Sequence, residues 1–67
     1  MINFKTYSYI GSVWIDDHKV KSNWKAQIAA ANSRDAYNRF VMKWRYLLDG
    51  VVDWPAKIVL PGKVVEV

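Results

Sequence analysis

The sequence predicts an α+β fold in which one amphipathic helix packs on one face of an antiparallel sheet, in the order β-β-α-β. Three observations predict it: apolar and polar residues alternate in the first half of the chain, apolar residues follow a helical repeat in the middle, and β-branched runs stand near the end. The 67 residues suffice for a single small domain, 1–67, and the absence of cysteine leaves its stability to an apolar core.

The first two strands are predicted to form a hairpin. Phe4–Ile15 and Val20–Ala30 both show a period of two, and the connection between them is short and polar. A turn centred on Asp17 and His18 is favoured, and a four-residue loop over Asp16–Lys19 is the open alternative. The favoured register pairs Tyr7 with Ile28, Tyr9 with Ala26, Gly11 with Trp24, Val13 with Ser22 and Ile15 with Val20. One face of the hairpin then becomes almost entirely apolar.

The middle of the chain predicts a helix. Asn32 or Ser33 can cap its start, Asp35 lies in its first turn, and Gly50 is expected as the C′ residue that ends it. The apolar arc consists of Tyr37, Phe40, Val41, Trp44, Leu47 and Leu48. The residues outside this arc are Arg34, Asn38, Arg39, Lys43 and Arg45. Pro55 prevents further helix after the segment.

The C-terminal segment predicts one further strand or two. Ala56–Leu60 is expected to form a strand beside the first one, which makes the crossover through the helix right-handed. Pro61 and Gly62 interrupt it, and Lys63–Val67 either continues it after a bulge or forms a short fourth strand. The residues expected to meet in the core are Tyr7, Tyr9, Trp24, Phe40 and Trp44. In that core, Gly11 would leave room for the indole of Trp24.

The charge of the chain favours acidic partners. Ten Lys and Arg residues against six Asp and Glu residues give a net charge of +4, which suits nucleic acid or an acidic protein surface. The N-terminal residues show no basic region followed by an apolar run, and no window approaches the length of a membrane span. A cytoplasmic protein with no membrane partner is therefore expected.

The residues do not indicate an enzyme. The one histidine, His18, stands beside Asp16 and Asp17 in a predicted turn, whose composition is typical of turns and gives too few ligands for a metal site. The three glycines lie far apart, so no phosphate-binding loop is present, and the serines have no plausible catalytic triad. We expect a non-enzymatic protein with no metal, cofactor or small-molecule substrate.

The outward face of the hairpin is the strongest candidate for function. In the favoured register Trp14 faces Lys21, Ile10 faces Lys25, and Lys19 lies at the rim. The sequence thus predicts a binding module for RNA or single-stranded DNA, in which lysines meet phosphates and the indole stacks on a base. The alternative is an adaptor or inhibitor that docks on an acidic protein. The candidate binding residues are Trp14, Lys19, Lys21, Lys25, Arg39 and Lys43.

The junction "WKAQIAAANSRDAYNRF" joins a small-residue strand end to a capped helix start. In this layout, from Phe4 to about Leu60, the chain resembles the archaeal ribosomal protein LX family and small phage-encoded inhibitors of bacterial RNA polymerase. It departs from the first because "DGVVDWPAK" replaces a basic run after the helix, and from the second because its surface is basic rather than acidic. The resemblance implies the ββαβ fold and carries over no functional residues.

Overall fold

Two long strands form an antiparallel hairpin in the computed structural model, which describes residues 3–51 and 56–67. Strand β1 spans Lys5–Ile15 and strand β2 spans His18–Ala30. Three predicted pairs are confirmed: Tyr7 with Ile28, Tyr9 with Ala26 and Gly11 with Trp24. Away from the turn, the alternation of apolar residues is thus sufficient to set the register.

The turn of the hairpin differs from both predictions. Ile15 pairs with His18, so the turn consists of Asp16 and Asp17 alone. Both aspartates have positive φ values, 49° and 66°. Two such residues match the twist of the flanking strands, and aspartate tolerates this conformation better than most side chains do.

Two irregularities in β2 separate the turn from the regular part of the hairpin. The register shifts between Gly11 and Val13 and again between Val13 and Trp14, so β2 uses two more residues than β1 over this stretch. Asn23, close to the first shift, has a φ of +53°. The predicted pairs that these bulges break are Val13 with Ser22 and Ile15 with Val20. Between the two shifts Lys21 faces Val13, and beyond the second shift Lys19 faces Trp14.

The C-terminal segment adds two short strands to the other side of β1. Strand β3 spans Ile58–Val59 and strand β4 spans Lys63–Glu66, so the strand predicted over Ala56–Leu60 is shorter than expected. The sheet order is β2-β1-β3, with β4 also paired to β1. Both short strands are antiparallel to β1 in one continuous register: Val59 faces Trp14 and Val64 faces Tyr9. The handedness of the crossover stays a prediction, and the expectation for Pro55 lies outside the described residues.

The helix α1 spans Ser33–Leu47, and its start agrees with the prediction. Asn32 is the N-cap, and its side chain accepts a hydrogen bond of 2.8 Å from the backbone N–H of Asp35. The end differs, because Leu48 is the C-cap and its N–H donates to carbonyls of the last turn. Gly50 lies two residues further on, with a φ of +84°, and is therefore not the C′ residue.

The core lies between α1 and one face of the sheet. Tyr9 and Phe40 are fully buried, with ring centroids 5.9 Å apart, and Trp24 packs at 5.8 Å from each of them. Trp44 adds an edge-to-face contact with Trp24 at 5.3 Å, so the predicted aromatic core is confirmed. Leu47, expected in the apolar arc, is instead 59% exposed at the last position of α1.

The hydroxyl of Tyr9 explains why position 11 is a glycine, and the predicted reason, room for the indole of Trp24, is wrong. A Cβ at Gly11 would lie 2.9 Å from the hydroxyl oxygen of Tyr9 and 2.9 Å from the Cα of Gly62. The hydroxyl donates to the carbonyl oxygen of Ser12 at 2.6 Å and accepts from the N–H of Gly62 at 2.9 Å. The glycine therefore makes room for this bridge between β1 and the C-terminal segment, not for the indole of Trp24.

Candidate nucleic-acid interface

The sheet has one face under the helix and one open face. Along β1, the buried residues Tyr7, Tyr9, Val13 and Ile15 alternate with more exposed ones. Because directly paired residues share a face, the pairing of the strands defines the other side of the sheet. We call this side the open face; it comprises Ser8, Ile10, Ser12 and Trp14 of β1, Lys19, Lys25 and Gln27 of β2, Val59 of β3, and Lys63 and Val65 of β4.

A row of three side chains crosses the centre of the open face. Ile10 pairs with Lys25 on one side and with Lys63 on the other. Ile10 is 56% exposed, and both lysines are exposed. Since neighbouring strands are about 4.8 Å apart, the two lysine backbones are about 10 Å apart with the isoleucine between them. The row therefore presents two cations around an apolar contact.

Trp14 lies in a second row, closer to the turn. It pairs with Lys19 of β2 and Val59 of β3. The ammonium of Lys19 is 5.8 Å from the centroid of the indole, and the indole N–H donates to the hydroxyl of Ser12 at 2.9 Å. These contacts hold the indole, which is half-buried, in one orientation on the open face.

Among the described residues, two carboxylates lie at the turn end of the open face. Asp16 binds the backbone of Lys57 there, and Asp17 follows it in the turn. Glu66 belongs to the other side of the sheet, since it pairs with Tyr7. The carboxylate of Glu66 is 3.5 Å from the ammonium of Lys5. Within the described ranges, the central rows of the open face thus carry lysines without a carboxylate among them.

The structure brings together three of the six predicted binding residues: Trp14, Lys19 and Lys25. The predicted pairing of Trp14 with Lys21 is wrong, because the bulges rotate that part of β2 and place Lys21 opposite the buried Val13. Arg39 and Lys43 lie on α1, in the other layer of the protein, so they cannot join the open face in one flat contact.

Arg39 is also engaged within the helix layer. Its Nε is 3.0 Å from Oδ2 of Asp35, and its guanidinium lies 5.4 Å from the ring centroid of Phe4. The backbone N–H of Ala31 donates to the same carboxylate at 3.0 Å. The hydrogen bond from Ala31, together with the hydrogen bond and charge of Arg39, holds the pKa of Asp35 below its ordinary value. Arg39 and Lys43 are cations one turn apart on α1, and the carboxylate of Asp35 offsets the charge of Arg39.

Lys63 is the clearest functional candidate that sequence reasoning missed. Its place beside Ile10 depends on the register of β4, which local alternation could not set. One signal was available, because Gly11 and Gly62 are both glycines and lie opposite each other across the two strands. Assuming that the two glycines were opposite each other would have placed Lys63 opposite Ile10 and Val59 opposite Trp14.

His18 and the two aspartates of the turn do not form a metal centre by their geometry. His18 faces Ile15 and is exposed. In residues 3–51 and 56–67, no group of three or more His, Cys, Asp or Glu side chains is arranged to hold a metal ion. In the same part of the chain, no helix has the length and apolar character needed to cross a membrane.

Comparisons of the chain with known proteins found no relative: no family model, curated protein or solved structure matches it. The resemblance to the ribosomal LX family and to the phage inhibitors therefore stays a prediction from layout.

Proposed function

We propose that the open face is a non-enzymatic binding platform for single-stranded RNA or DNA. The observation that carries the proposal is the arrangement of its rows, in which Trp14 and Ile10 lie between strands that carry Lys19, Lys25 and Lys63. Aromatic and apolar side chains on a sheet can stack on unpaired bases, while lysines between them neutralise the phosphates. Stacking is tolerant of sequence, so the platform need not read bases to bind.

The two stacking positions on the open face, Trp14 and Ile10, favour single strands over duplexes. Trp14 and Ile10 are four residues apart on β1, which corresponds to about 13 Å along the strand. In a duplex the base faces are stacked on each other and unavailable, whereas an extended single strand can offer a separate base to each of the two side chains. The indole would then contribute about 1–3 kcal/mol per stacked base, and duplex DNA would bind through its phosphates alone.

The number of lysines that can contact phosphates predicts how strongly salt should weaken binding. Lys19, Lys25, Lys63 and the nearby Lys57 allow three or four phosphate contacts. For single strands, each phosphate contact adds about −0.7 to the slope of log K against log salt. Affinity should therefore fall roughly 20- to 50-fold between about 50 and 200 mM salt.

The proposal is tested by fluorescence anisotropy of labelled oligothymidine, oligouridine and duplex DNA across that salt series. Lys25→Glu/Lys63→Glu should abolish binding, because it reverses both charges beside Ile10. Arg34→Glu/Lys43→Glu makes the same change in net charge on α1 and should leave most of the affinity. Equal losses in the two double variants would contradict a platform on the open face, as would the absence of binding at low salt.

A second candidate is a protein-binding adaptor that docks this face on an acidic partner. It is favoured by the apolar side chains Ile10 and Val65 of the open face, which are 56% and 50% exposed near the lysines. An apolar centre with a charged rim is typical of protein interfaces. This function is supported if oligonucleotides do not bind at low salt and an immobilised acidic protein retains wild type but not Lys25→Glu/Lys63→Glu.

A further inference from the structure

A cleft of about 180 Å³ opens at the turn end of the open face. Its walls are Trp14, Asp17, Lys57, Val59 and Pro61. It lies on the β3 side of the indole, since Val59 pairs with Trp14 there, whereas Lys19 on the β2 side is not among its walls. The cleft is smaller than a pocket for a drug-sized ligand, so it suits one small planar group, up to the size of a fused bicyclic base.

The cleft combines two opposite charges that do not pair with each other. The side chains of Asp17 and Lys57 form no salt bridge or hydrogen bond with another residue in the described ranges. The adjacent Asp16 is different, because its Oδ1 accepts the backbone N–H of Lys57 at 3.0 Å and its N–H donates back to the carbonyl of Lys57 at 3.0 Å. Asp16 thus anchors the turn to the C-terminal segment and leaves Asp17 available to a ligand.

From this arrangement, and resting on the proposed function, we infer that the cleft is a guanine-binding subsite of the single-strand platform. The base lies against the indole of Trp14. Its N1–H and 2-amino group donate to the carboxylate of Asp17, and O6 or N7 accepts from the ammonium of Lys57. Val59 and Pro61 exclude water from the edge of the ring.

The other bases do not match this charge pattern. A carboxylate is an acceptor only, and it is best satisfied by two adjacent donors. Guanine alone has two donors side by side on its pairing edge. Adenine and cytosine place a ring-nitrogen acceptor beside their amino group, and thymine and uracil place carbonyl oxygens on both sides of their one N–H. Each of them would direct an acceptor at Asp17.

The test compares labelled nine-residue oligothymidines whose central base is thymine, guanine, inosine or adenine, by anisotropy at about 50 mM salt. Inosine retains N1–H, O6 and N7 and lacks only the 2-amino group. The guanine oligonucleotide should bind about tenfold more tightly than the thymine and adenine oligonucleotides, because a bidentate contact discriminates by this order. Inosine, which keeps one of the two hydrogen bonds to Asp17, should lie between them.

Asp17→Asn separates the subsite from the platform. The variant should lose the preference for guanine and at the same time bind all-thymidine somewhat more tightly, since it removes a negative charge beside the phosphates. Asparagine tolerates the φ of +66° at this position, so the turn is retained. Asp49→Asn, the same change at the end of α1 and outside the walls of the cleft, should alter neither property.

Three outcomes decide the matter. Guanine preference that is lost in Asp17→Asn supports the subsite. Tight binding of all four oligonucleotides with equal affinity, or a guanine preference that survives in Asp17→Asn, overturns the subsite and leaves the platform standing. The absence of any binding at low salt overturns the proposed function, and the subsite with it.

Discussion

Gly62→Ala should destabilise the fold through one specific clash. Gly62 lies where the C-terminal segment passes closest to β1. A Cβ at this position would lie 2.5 Å from the carbonyl oxygen of Ile10 and 2.9 Å from the hydroxyl oxygen of Tyr9. The first of these is a backbone atom in the middle of a long strand, so it cannot rotate away as a side chain would.

The size of the effect follows from these distances. A carbon and an oxygen without a conventional hydrogen bond approach to about 3.3 Å, so the C-terminal segment must move by roughly 0.8 Å. Such overpacking costs about 1–3 kcal/mol. Loss of the 2.9 Å hydrogen bond from the Gly62 N–H to Tyr9 adds about 0.5–1.5 kcal/mol. The total, about 2–4 kcal/mol, compares with a stability of roughly 3–10 kcal/mol for a chain of this length.

The assay is urea unfolding followed by tryptophan fluorescence. Gly50→Ala is the control, because its Cβ would meet no atom within 4 Å and only the φ of +84° opposes it, at about 1–2 kcal/mol. Tyr9→Phe removes the hydroxyl from the same contact, so Gly62→Ala should cost less in Tyr9→Phe than in wild type, by about 0.5–1.5 kcal/mol. A Gly62→Ala protein within about 0.5 kcal/mol of wild type would refute the reasoning.

Two further predictions concern α1. Trp44→Ala should cost about 3–5 kcal/mol by removing the ring packed against Trp24, whereas Trp44→Phe should cost less than about 2 kcal/mol, because the buried indole N–H has no hydrogen-bond partner in the described residues. Thermal melts followed by circular dichroism measure both, and equal costs would contradict this assignment. The depressed pKa of Asp35 means that its stabilisation is fully present above the unfolded value of 3.8 and is lost as pH falls through the lower folded pKa. Urea midpoints from pH 6 to pH 2 should therefore fall less steeply in Asp35→Asn than in wild type; parallel curves would refute the linkage.

The central pairs of the hairpin and the start of the helix could be predicted because their causes are local. The pairing of Tyr9 with Ala26 follows from the alternation of apolar and polar residues, because a register shift of one residue would move every apolar side chain of that strand to the opposite face. The cap at Asn32 depends on a side chain and an N–H three residues apart. The outward direction of Trp14 follows from the same alternation that buries Tyr9, because the two residues are an odd number of positions apart on β1.

The candidate site was only partly predictable. Trp14, Lys19 and Lys25 could be placed on the open face, but Lys21 was assigned to the wrong side. The bulges that move it have only a weak mark in the sequence: asparagine is depleted in strands and adopts positive φ more readily than most residues, but one such residue on a polar strand face does not locate a bulge. Lys63 was absent from the prediction because its neighbour Ile10 is more than 50 residues away in the chain.

By itself the sequence determined the order of the elements, the apolar face of each and the excess of positive charge, because each depends on residue types within a few positions. The tertiary structure decided the position of the turn, where Asp16 binds the backbone of Lys57, and the register of the last strands, where the hydroxyl of Tyr9 joins Ser12 to Gly62. These contacts join segments that are distant in the chain. No local period encodes them, and they are what brings Lys57 and Lys63 to the face that already carries Trp14.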